Sequence, residues 1–163
     1  MTENAQNKAE EQALVLQINA QYIKDLSFEA PTMPHALLSL QQAPDINIGI
    51  DVKAERADDK NHYTVDLTIK LKADKKDDHK PLFLCEVVYG GLVTLEAPKT
   101  HIEPLLLIEI PHLLFPYARA IIGNLIREAG FPSLQINPVD FAALYRARIA
   151  KQAEEQQKNE EKK

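Results

Sequence analysis

The sequence predicts an α+β fold: a four-stranded antiparallel sheet followed by two main C-terminal helices packed on one of its faces. Three observations carry this. Apolar and polar residues alternate through the first half of the chain, at the two-residue period of a strand. The alternating runs are joined by short polar turns, which make neighbouring strands antiparallel. Past Pro116 the apolar spacing changes to three and four, the period of a helix, and strands first with helices last is the order of an α+β chain. The 163 residues, 45% hydrophobic and 26% charged, suffice for one domain with its own core, here residues 13–150.

Each element follows in order. Residues 1–12 are polar, carry Glu3, Lys8, Glu10 and Glu11, and read as a disordered tail unlike a secretory signal. Leu14, Leu16, Ile18, Ala20, Tyr22, Leu26, Phe28 and Ala30 occupy even positions with polar residues between, a first strand interrupted at Ile23-Lys24, where a bulge fits. Prolines 31, 34 and 44 punctuate a loop with room for a helical turn over residues 35–40. Ile46, Ile48, Ile50, Val52 and Ala54 mark a second strand, Asp58-Asp59-Lys60-Asn61 a turn, and Tyr63, Val65, Leu67, Ile69 and Leu71 a third strand. Residues 73–80 form another polar turn and residues 81–96 the fourth strand. Residues 97–112, rich in Pro, Leu and Ile, read as a long connection, and no unbroken apolar run approaches the ~20 residues of a membrane span. Pro116 suits a first helical turn, Ala118, Ile121, Ile122, Leu125, Ile126 and Ala129 make a helical stripe, and Gly130 stops it. Asn137 is placed to cap the last helix, whose buried face holds Phe141, Leu144, Tyr145 and Ile149. Residues 151–163, drawn from Lys, Gln, Ala, Glu and Asn, read as a charged, flexible C-terminal tail.

The fourth strand departs from the alternation of its neighbours. Phe83, Cys85, Val87, Tyr89, Val93 and Leu95 point one way, and Leu82, Leu84, Val88 and Leu92 the other, so both faces are apolar. An apolar side chain left in water forgoes about 1.5–3 kcal/mol of burial. Helices of one subunit cover one face, and self-association is the direct way to cover the other. Glu86 is the lone charge between Phe83 and Leu95. It either blocks edge-to-edge aggregation or joins Asp25 and Glu29, four apart on the polar face of the first strand, in an acidic surface that attracts a basic partner.

No constellation for catalysis or metal binding stands out. His35, His62, His79, His101 and His112 lack metal-ligand spacing, so no metal and no cofactor are expected. Gly90-Gly91 has neither the third glycine nor the following helix of a phosphate loop, and a bulge or close backbone approach explains it better. The single cysteine, Cys85, forbids an internal disulfide, reads as a small buried side chain and fits a reducing cytoplasm. A net charge of −5 argues against a general nucleic-acid binder. Leu105-Leu106-Leu107-Ile108 is either a loop anchor or the lip of an apolar groove.

Several motifs in fixed order resemble the SecB protein-export chaperones: Tyr22-Ile23-Lys24-Asp25-Leu26-Ser27-Phe28-Glu29-Ala30-Pro31 with Pro34-His35, Phe83-Leu84-Cys85-Glu86-Val87 with Gly90-Gly91, Leu114-Phe115-Pro116-Tyr117-Ala118-Arg119, Phe131-Pro132, and Pro138-Val139-Asp140-Phe141-Ala142-Ala143-Leu144. The resemblance spans about residues 14–150. It implies a cytoplasmic homotetramer, a dimer of dimers, that is not an enzyme. Such a chaperone binds unfolded precursor proteins without ATP, keeps them translocation-competent and delivers them to the SecA ATPase. By position it makes Asp25, Glu29, Leu84 and Glu86 the SecA-binding surface. It makes Cys85, Val87 and Tyr89 tetramer contacts, and Ile46, Ile48, Ile50, Leu134, Phe141, Leu144 and Tyr145 the client groove. Val88-Tyr89 stand where the family often has Gln-Gln, and Leu37, Leu38 and Leu40 replace an aromatic often found after His35. A SecB-like chaperone of a toxin–antitoxin pair is the neighbouring alternative, and a small α+β enzyme with a pocket under its helices the distant one.

Overall fold

A computed structural model describes residues 14–39 and 43–160. Four strands, β1 (Val15–Glu29), β2 (Asp45–Arg56), β3 (His62–Asp74) and β4 (Pro81–Glu96), form one antiparallel sheet in the order β1-β4-β3-β2. A short helix α1 (His35–Ser39) joins β1 to β2, on the predicted turn. The predicted tail 1–12 lies outside the described residues. β4 is an interior strand, paired with β1 on one edge and β3 on the other.

The registers settle which face is which. Cys85 pairs with Leu71, Val87 with Ile69 and Tyr89 with Leu67, so these odd residues share one face with the apolar side of β3. That face is covered by the chain's own helices. Cys85, Val87 and Tyr89 are 2%, 0% and 8% exposed and turn toward the chain's own helices rather than the open face. The open face carries Leu84, Glu86, Val88 and Leu92. Leu82, at the start of that face, is buried where Thr32 and Ala36 reach it.

β1 contains two bulges where one was expected, between Ile18 and Ala20 and between Ile23 and Asp25. Each inserts a residue and flips the side-chain alternation. Leu16 and Ile18 therefore lie on the helix face, Ala20 and Tyr22 on the open face, and Leu26 and Phe28 on the helix face again. The paired glycines serve both sides. A Cβ on Gly90 would meet Tyr22 Cε2 at 2.5 Å, whereas one on Gly91 would meet Leu114 Cδ2 at 3.2 Å. Gly90 admits a tyrosine ring on the open face, and Gly91 lets a helix approach on the other.

Residues 97–112 are not a loop. A helical run, Lys99–Glu128, comprises α2 (Lys99–Pro104), a π turn (Leu105–Glu109) and α3 (Ile110–Glu128). Interior prolines cost a helix about 3 kcal/mol each, and both Pro104 and Pro116 are interior. Burial outweighs them: Leu106, Leu107, Ile110, Leu114 and Phe115 are all buried, at about 1.5–3 kcal/mol apiece. The wider π turn comes just ahead of Pro111, whose ring would otherwise press on the carbonyl four residues earlier. The run is long and apolar enough to cross a membrane by length and composition, but Ile110, Leu114, Ala118, Ile122 and Ile126 are fully buried in the protein core.

α3 ends where Gly130 takes φ +87° and the Phe131 N–H donates to the Ile126 carbonyl at 3.2 Å. Phe131 then packs on Phe83, ring centroids 4.9 Å apart, and Phe83 stacks on Phe28 at 5.6 Å. One phenylalanine of β4 thus ties β1 to the connector after α3. Helix α4 (Phe141–Glu160) begins later than predicted: its cap is Asp140, whose Oδ1 accepts from the Ala143 N–H at 2.9 Å, rather than Asn137. α4 also runs through the segment expected to be a flexible tail, because Lys, Gln, Ala and Glu are strong helix formers. Residues 161–163 lie outside the described residues.

Candidate functional site

The structure has two candidate binding surfaces, on opposite faces of the sheet. The first is on the open face. Asp25 pairs with Val88, Ser27 with Glu86 and Glu29 with Leu84, so the two β1 carboxylates and Leu84 and Glu86 of β4 share one surface. The bulge at Ile23/Asp25 is what turns Asp25 this way, since Ile23, two residues earlier, pairs with Tyr89 on the helix face. All four residues expected on this surface are brought together. Leu84 is 40% exposed, an apolar patch between carboxylates.

Sequence reasoning missed the basic half of this surface. Lys70 and Lys72 of β3 lie opposite Glu86 and Leu84, and a shallow groove of about 490 Å³ runs between them. Lys70 Nζ is 3.1 Å from Glu86 Oε2, and Lys72 Nζ is 3.0 Å from Asp74 Oδ2. The alternation of β3 already placed both lysines on its polar side; only the register shows which strand they face.

The second surface is an apolar groove of about 510 Å³ between β2 and α4, lined by Ile50, Asp51, Val52, Leu107, Leu144, Tyr145, Ala147, Arg148 and Lys151. Leu107 makes the Leu105–Ile108 segment part of its wall. Arg148 spans the groove, its Nη1 donating to the Val52 carbonyl at 2.9 Å on the outer strand of the sheet. Of the residues expected here, Ile50, Leu144 and Tyr145 line the groove. Ile46 and Ile48 continue the same side of β2 beyond it, and Ile48 is 43% exposed. Phe141 is instead buried, its ring 6.0 Å from Phe115 and 6.4 Å from His112, and anchors the start of α4. Leu134 is half-buried, its carbonyl facing Gly123 of α3.

The Cys85 side chain is buried on the helix side of the sheet, 2% exposed. Burial pushes its thiol up to about 11 from an ordinary 9.0, with no stabilising cation to oppose it. Native protein at pH 8 should therefore resist a thiol reagent that modifies the unfolded chain within minutes. The folded-state shift is upward, so its contribution to stability is complete below pH 9 and lost as pH rises from about 9 to about 11. Rapid labelling of the native protein would show that the sheet opens far more readily than its burial implies.

An apolar groove on one face and a charged sheet surface on the other define a binding protein. Residues 8–152 match the family model described as SecB, preprotein translocase subunit SecB. A protein-export protein SecB of Granulibacter bethesdensis is 40% identical over 95% of this chain and 94% of its own length. One from a Bradyrhizobium species is 48% identical over 85% of this chain and 84% of its own. Among solved structures, a Mycobacterium tuberculosis SecB-like chaperone, in complex with a peptide from an antitoxin, shares the fold with a TM-score of 0.63 at 12% identity, over 76% of this chain and 90% of that one. The chain belongs to the SecB family of protein-export chaperones.

Proposed function

We propose that the protein is an ATP-independent holdase of the cytoplasm that binds unfolded secretory precursors in the groove beside α4 and presents them to SecA through Asp25, Glu29, Leu84 and Glu86. The observation that carries this reading is the separation of the two surfaces by the thickness of the sheet. A client and a docking partner need not compete, so a loaded chaperone can still be captured. Holding follows from mass action: a protein that binds the unfolded but not the native state draws the equilibrium away from folding. An apolar groove beside an outer strand asks little of client sequence, since apolar contacts and main-chain groups occur in every chain.

The working form is a homotetramer, a dimer of dimers. Away from the client groove, Ile23 and Leu26 of β1 and Leu113 and Tyr117 of α3 are large apolar side chains exposed on the helix side, at 48%, 42%, 44% and 53%. Tyr117 stacks on Tyr89, centroids 6.2 Å apart, and Tyr89 pairs with Ile23, so the patch runs from helix to sheet edge. β1 is itself an outer strand and supplies a second kind of contact. Several grooves on one tetramer raise affinity for an extended client without tight individual contacts.

Glu29→Lys and Glu86→Lys should each weaken SecA binding by roughly tenfold, about 1.4 kcal/mol. Client retention should be unchanged. Unaltered SecA binding in both variants would remove the docking assignment and favour the second reading, a chaperone of a toxin–antitoxin pair, which the peptide complex of the M. tuberculosis neighbour brings forward.

A further inference from the structure

We infer that Lys70 is a built-in competitor for the basic partner at Glu86 and sets how tightly this chaperone is captured. The inference rests on the docking reading above. Across the open face one rung of the sheet reads Gly49, Lys70, Glu86 and Ser27, and the Lys70 ammonium lies 3.1 Å from the Glu86 carboxylate. Among the described residues no ion pair engages Asp25 or Glu29. The three carboxylates of the surface are thus not equivalent: two are open to an incoming cation, and the third is already answered from within the chain.

A basic partner must either displace the Lys70 ammonium from Glu86 or approach against its charge. Both cost affinity. Lys70 is free to be displaced, its side chain being 63% exposed and flanked on β2 by Gly49, which offers no side chain to hold it. Lys70 thereby tempers the dock, keeping release possible once a client has been handed over.

The test compares SecA binding, by calorimetry at about 50 mM and 500 mM salt, for Lys70→Ala, Lys72→Ala and each of these combined with Glu86→Gln. Lys72 is one rung along on the same face and paired with Asp74, so it reports the effect of removing charge alone. Lys70→Ala should tighten binding about two- to fivefold at low salt, the scale of an exposed ion pair. The gain should exceed that of Lys72→Ala, vanish in the Glu86→Gln background and shrink at high salt. Equal gains from the two lysine variants, a gain that survives Glu86→Gln, or no gain while Glu86→Lys still weakens binding would each overturn the role of Lys70 and leave the dock intact. If Glu86→Lys and Glu29→Lys also leave binding unchanged, the dock itself fails and the inference falls with it.

Discussion

Phe83→Ala should destabilise the subunit by about 3–5 kcal/mol, the range for emptying a buried aromatic site. Phe83 is 2% exposed and lies between Phe28 of β1 and Phe131, just past the C-terminal stop of α3. Its removal leaves a void that three elements line, and none is free to collapse into it. Around Phe28, β1 is held in continuous register by β4 from Asp25 to Glu29, and the turn at Gly130 fixes Phe131. A conservative Phe83→Leu should cost much less, because volume is largely kept. Both are read from the midpoint of urea unfolding, at a protein concentration high enough to keep assembly constant. If Phe83→Ala costs under about 1 kcal/mol, well below that range, the aromatic cluster is not the fastening that the geometry implies.

Ile50→Asp combined with Leu144→Asp should lower affinity for an unfolded client by roughly 100-fold or more. Ile50 is on β2 and Leu144 on α4, facing each other across the groove. An apolar side chain that no longer buries against client forgoes about 1.5–3 kcal/mol, and every 1.4 kcal/mol is about tenfold in affinity. Leu144 is 40% exposed, so a carboxylate there leaves the fold nearly untouched. SecA binding, on the other face of the sheet, should be unaffected. Equal loss of client and SecA binding would mean general unfolding or a single shared site, and retention of client would place the client elsewhere.

The sheet was legible because β3 buries one side and wets the other, and β2 sets an apolar side against a wet one, so period two appears directly in their residues. β4 showed its apolar character on both faces but not which face the helices take. Parity alone cannot decide that when Cys85 and Val87 are as apolar as Leu84 and Val88. The decisive signal was Glu86: a carboxylate shares parity with Leu84 and Val88, and a face covered by helices has no room for an unpaired charge. Read that way, Cys85 and Val87 fall on the inner face, where the registers put them. The bulge at Ile23/Asp25 shows in the sequence as a break in the even-position pattern, whereas the one at Ile18/Ala20 exchanges one apolar residue for another and leaves the pattern looking continuous. The helix from Pro116 on was legible, but the part of the Lys99–Glu128 run before it is hidden by its prolines. Local propensity opposes a helix there, and only packing on the sheet, through Leu106, Ile110 and Leu114, reverses the balance. In the groove, Ile50 and Leu144 were found from family resemblance, while Val52 and Arg148 depend on how α4 leans over β2 and leave no local trace.

The most direct test of the central claim is the refolding rate of a slow-folding secretory precursor, diluted from denaturant without ATP into buffer with and without a molar equivalent of the tetramer, with solution mass measured on the same sample. The account predicts that refolding is retarded severalfold, that the Ile50→Asp and Leu144→Asp double variant removes the effect, and that the chaperone has the mass of a tetramer. Unchanged refolding beside a stable monomer would contradict it.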